Sequence, residues 1–87
     1  MNPSATILSS GSLLGTHLQS QGFGTIEEYI QSQNPDGTLE SIDVPGMPTV
    51  KIIRDDSPAK EASVAAKQIT FSHVVAGNLA YSVVQVA

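Results

Sequence analysis

The last twenty positions, Gln68 to Ala87, are rich in apolar residues broken by single or paired polar ones, and this stretch carries no charged side chain. Val, Ile, Thr, Phe and Tyr are frequent in it, which is strand composition. Gly77-Asn78 divides the stretch and fits a two-residue hairpin turn of the mirror type, with glycine at the first central position. That turn sets a register. Ala76 lies opposite Leu79, Val75 opposite Ala80, Val74 opposite Tyr81, His73 opposite Ser82 and Ser72 opposite Val83. Beyond them Phe71 is expected opposite Val84, Thr70 opposite Gln85 and Ile69 opposite Val86.

Side chains of a strand alternate between two faces. One face then holds Ile69, Phe71, Val75, Ala80, Val84 and Val86, interrupted by His73 and Ser82, and is expected to pack on the core. The other holds Val74, Ala76, Leu79, Tyr81 and Val83 with Thr70, Ser72 and Gln85. An uncharged, half-apolar face needs a cover. Val74, Leu79, Tyr81 and Val83 are therefore the expected protein interface.

Upstream the periodicity is helical. Leu13, Leu14, His17, Leu18 and Gln21 share a stripe, which predicts a short helix over 12–21 with Ser12 as its cap; Gly15 weakens it. Gly22-Phe23-Gly24 is a break. Thr25-Ile26-Glu27-Glu28 reads as a capping box, with the Thr25 hydroxyl on the Glu28 amide and the Glu28 carboxylate on the Thr25 amide. It predicts a short helix near 25–33 with Ile26, Tyr29, Ile30 and Gln33 on one face. Asn34-Pro35-Asp36-Gly37 stops it with a turn.

Thr38–Val44 reads as a strand of mixed quality. Val44–Pro48 reads as a loop with Pro45-Gly46 in a type II turn. Thr49–Arg54 is a second strand with Val50 and Ile52 inward; Ile53 faces the same way as Lys51, so this strand is expected to be covered on both sides. Asp55-Asp56-Ser57-Pro58 is a break and a helix entry. Ala59–Lys67 is Ala-rich and reads either as a helix of about two turns or as a flexible excursion, because so short a helix is marginal in water. Residues 1–11 read as an arm that is flexible or ordered by a partner. The fold class expected is α+β, mainly β: a small single domain over 12–87 with a C-terminal hairpin at 69–76/79–86.

Composition narrows the function. In 87 residues the chain has no cysteine, 14% charged residues and a net charge of −4. A domain this small gains little from its core alone, and with neither disulfide nor thiolate metal site the remaining common staple is assembly. All charges lie between Glu27 and Lys67. Lys51, Arg54, Lys60 and Lys67 each have an acidic residue near in sequence and form no basic stripe, which argues against nucleic acid. The N-terminus lacks the pattern of a secretory signal. The closing segment has the length of a membrane span, but Gln68, His73, Gly77, Asn78 and Gln85 interrupt it, so no membrane is expected. A cytoplasmic or virion-associated setting follows.

Candidate chemistry is sparse. His17 is expected to be exposed on its helix and His73 half-buried and hydrogen-bonded on the hairpin; two histidines without paired spacing do not make a zinc site. Ser72 and His73 are adjacent on a strand and point to opposite faces. Ser82 lies opposite His73, without an acid or an oxyanion hole to complete a nucleophile. Gly11-Ser12-Leu13-Leu14-Gly15 departs from the nucleophile elbow, and Gly22-Phe23-Gly24 lacks the third glycine of a dinucleotide loop. Asp36 with Glu40, and Asp55-Asp56, supply too few oxygens for calcium. Residues 12–33 contain no Lys or Arg and are unsuited to a helix-turn-helix. The sequence thus points away from an enzyme, a cofactor, a metal and a small-molecule substrate. It points to a structural or assembly subunit that forms oligomers with itself or other protein subunits through uncharged β-surface, as a virion or a phage tail or head component does. The alternative is a small protein-binding adaptor or regulatory module.

Overall fold

A computed structural model describes residues 14–86. The arm expected at 1–11 and the Ser12 cap lie outside the described residues. Helical residues 14–20 (α1) bury Leu14 and Leu18, one turn apart. The Phe23 amide bonds back to the Leu18 carbonyl at 3.0 Å and folds the break around the helix end. Helix α2 (Ile26–Gln33) begins where the Thr25 hydroxyl accepts from the Glu28 amide at 3.1 Å. The return half of the box differs from expectation: the Glu28 carboxylate accepts from the Gly24 amide at 2.8 Å rather than from Thr25. Tyr29 and Ile30 are buried, and Phe23 meets the Tyr29 ring edge-on with centroids 5.1 Å apart.

The strands are β1 (Ser41–Val44), β2 (Met47–Arg54), β3 (Ile69–Ala76) and β4 (Leu79–Gln85), with helix α3 (Pro58–Ala65) between β2 and β3. They form one antiparallel sheet in the order β1-β2-β4-β3. This is the expected α+β fold with its C-terminal hairpin. The first strand is shorter than the predicted Thr38–Val44, because Asn34 takes residue 39 into a turn: Nδ2 donates to the Leu39 carbonyl and Oδ1 accepts from the Leu39 amide. The second is longer than predicted, because Met47 and Pro48 already belong to it. Gly46, at φ 84°, occupies the left-handed position that a type II turn requires. Gly77, at φ 61° with no positive φ at Asn78, gives the II′ turn that the hairpin needs.

The hairpin register agrees with expectation from Ala76↔Leu79 through Ser72↔Val83. It then shifts. Thr70 pairs with Val84 and Ile69 with Gln85, so Phe71 is the extra residue of a β-bulge. The bulge turns Phe71 against the main core, and Ile69 now shares the face of Gln85 and Val50.

The faces are the reverse of those expected. The main core lies between the sheet and helices α1 and α2, and joins Leu14, Leu18, Tyr29, Ile30, Ile42, Val44, Val50 and Ile52 to Val74, Ala76, Tyr81 and Val83. On the other face α3 packs against β2. Ile53, Ser82 and Val84 are buried on that side, so β2 is covered on both faces as its sequence suggested. Ser57 precedes α3 as expected, but its hydroxyl donates to the Arg54 carbonyl at 2.6 Å instead of capping the helix.

Candidate functional site

The four residues expected to form a protein interface are taken up by the fold. Val74, Tyr81 and Val83 are buried in the core and Leu79 packs against it. The Tyr81 hydroxyl accepts from Asn34 Nδ2 at 2.9 Å, which ties the hairpin to the end of α2. The expectation of a contact surface at these positions is therefore corrected. Two helices on one face and one on the other decided which apolar row is enclosed, and apolar alternation within a hairpin does not carry that information.

Several polar groups that suggested chemistry prove to be cross-links. Ser82 Oγ, fully buried, donates to Asp55 Oδ1 at 2.6 Å and accepts from Lys60 Nζ at 2.9 Å. Its proton is directed into a carboxylate, and the trio fixes α3 and the 55–57 turn to β4. His73, opposite Ser82 in the register, is exposed on the strand rather than half-buried. His17 is half-buried rather than free, and its Nε2 bonds the Pro45 carbonyl, linking α1 to the β1–β2 turn. Arg54 reaches Asp56 at 2.5 Å and bonds the Gly37 carbonyl, which braces the 34–40 loop. Tyr29 donates to the Asp43 carbonyl at 3.2 Å; burial, then the nearby Asp43 charge, pushes its phenol above the usual 10.0. Among the described residues no three metal-ligating side chains converge, and no helix is long and apolar enough to cross a membrane. A cleft of about 350 Å³ between the end of α2 and the hairpin turn is lined by Gln31, Asn34, Asp36, Asn78 and Tyr81. It brings together no nucleophile and base.

Among the described residues, no strand pairs with the outer edge of the sheet at β3. A two-residue turn makes Ala76↔Leu79 a hydrogen-bonded pair, and the pairs alternate from there. Val74↔Tyr81 and Ser72↔Val83 exchange bonds; Val75↔Ala80 and His73↔Ser82 do not. The Ala80 carbonyl confirms the phase, because it accepts from the Asp55 amide on the far side of β4 at 2.9 Å. His73 and Val75 therefore turn their amide and carbonyl groups outward, away from β4. Both side chains are exposed, Val75 by 67%.

Natural edge strands are usually shortened, charged or interrupted by proline, since unpaired backbone groups recruit other strands. The opposite edge follows that practice: β1 has four residues, and its Asp43 lies 3.9 Å from Lys51. Strand β3 has eight residues and neither charge nor proline; among the described residues the bulge at Phe71 is the one interruption of its regular pairing. Compared with known protein families, curated proteins and solved structures, the chain matches none.

Proposed function

We propose that this chain is a non-enzymatic assembly subunit that forms oligomers through uncharged β-surface, with the β3 edge as the contact. The observation that supports the reading most is the pairing of outward backbone groups and exposed side chains at His73 and Val75 on a strand without charge. Each unpaired backbone group is satisfied by water in the monomer and by a strand in an assembly. The added strand also covers the apolar Val75 side chain, 67% exposed in the monomer. Ser82, Asp55 and Lys60 satisfy one another, which engages the Ser82 hydroxyl as a cross-link rather than as a nucleophile. The low charge of the chain, 14% of residues, weakens the repulsion that holds copies of a protein apart.

Light scattering across a concentration series tests the reading. Growth of mass with concentration in the micromolar range is the expected result. A mass that stays at one chain, 9.1 kDa, to high micromolar concentration contradicts it.

A further inference from the structure

We infer that the occupant of the β3 edge is a second copy of β3, antiparallel, with the two-fold axis passing beside Val74. The inference rests on the assembly reading and specifies its contact. An antiparallel partner must offer outward groups at the same spacing as those it meets. The edge meets that condition with itself, because His73 and Val75 both face outward and are two positions apart.

Three two-fold axes lie on the segment from His73 to Val75. With the axis at His73, that residue meets its own copy, and the next outward position, Val75, falls opposite Phe71 of the other copy, inside the bulge. With the axis at Val75, the next pair falls on Gly77, in the turn. With the axis at Val74, His73 of each copy meets Val75 of the other, and both pairs exchange two hydrogen bonds. This register alone uses every outward group of the regular segment between bulge and turn.

Side-chain chemistry agrees. No residue of β3 or β4 is charged, so no like charges are set opposite each other in the pairing. The exposed Val75 of one copy lies beside His73 of the other on the α3 face. On the core face the two Val74 side chains become neighbours, continuing an apolar row that each copy already buries. The contact is isologous and closes on itself, which gives a dimer with one eight-stranded sheet rather than an open filament.

Disulfide trapping reads the register, and the chain brings no cysteine of its own. Two variants, His73→Cys and Val75→Cys, are oxidised separately and as an equal mixture. Hydrogen-bonded pairs hold Cα atoms about 5.5 Å apart, within disulfide range, whereas diagonal neighbours stand at about 7–8 Å. The mixture is expected to form a mixed disulfide several-fold faster than either variant forms its own. Faster trapping of His73→Cys alone, or of Val75→Cys alone, overturns the Val74 axis. Oligomers without trapping in any sample overturn this contact while leaving assembly standing. A chain that stays monomeric overturns both. An unsubstituted check uses equal amounts of isotope-labelled and unlabelled chain, in which a Val74 Hα contact between copies is expected and its absence from a dimer contradicts the register.

Discussion

Asn34 Nδ2 donates to the Tyr81 hydroxyl at 2.9 Å across 47 positions of sequence, and both residues are buried. This contact ties the inward face of the hairpin to the end of α2. Removing the amide also frees the Leu39 backbone groups that it holds. Asn34→Ala is expected to cost about 2–3 kcal/mol, since buried partners are left unsatisfied. Tyr81→Phe, which keeps the ring, is expected to cost about 1 kcal/mol. Urea unfolding midpoints check both.

Val83 and Val75 lie on opposite faces of the hairpin, fully buried and 67% exposed. Val83→Asp buries a carboxylate without a partner and is expected to unfold the domain, whose total stability is a few kcal/mol. Val75→Asp is expected to leave the monomer fold intact, within about 0.5 kcal/mol, and to weaken association. Circular dichroism and sedimentation read the two effects. Equal unfolding by both substitutions contradicts the face assignment.

The sequence carried the hairpin turn, its register near the turn and the Thr25 cap, because each depends on neighbours a few positions away. It did not carry the inward face. Val74 and Val75 are the same side chain on opposite faces, and only the placement of α1, α2 and α3 distinguishes them. The bulge at Phe71 was equally hidden, since no residue there demands one; it appears when Phe71 reaches the core. That β3 lies at the edge and β4 inside follows from β2 pairing with β4, a choice made over long range.

Lys67 adopts φ 58° where α3 ends. Its amide bonds the Val64 carbonyl at 3.0 Å and the Gln68 amide bonds the Ser63 carbonyl at 3.1 Å, the Schellman pattern in which glycine usually holds this position. The left-handed conformation costs a side-chain-bearing residue about 1 kcal/mol. Lys67→Gly is expected to raise stability by up to about 1 kcal/mol, measured by urea unfolding.

The Tyr29 phenol holds its proton above the usual 10.0, first because burial disfavours phenolate and then because Asp43 repels it. Above about pH 10 the folded chain therefore binds more protons than the unfolded chain, and stability falls as pH rises through the phenol's range. Tyr29→Phe removes the bond to the Asp43 carbonyl and is expected to cost about 1 kcal/mol near pH 8. The gap between variant and parent is expected to narrow toward about pH 11, because the variant lacks this alkaline loss. Unfolding curves at the two pH values decide it.

Amide hydrogen exchange along β3 tests the assembly edge most directly. In dilute solution Ser72, Val74 and Ala76 are expected to be protected by β4, while His73 and Val75 exchange at rates near those of open chain. Raising the concentration is expected to slow His73 and Val75 together, at the concentrations where the mass increases. Fast exchange at these two amides in a sample already assembled contradicts the account.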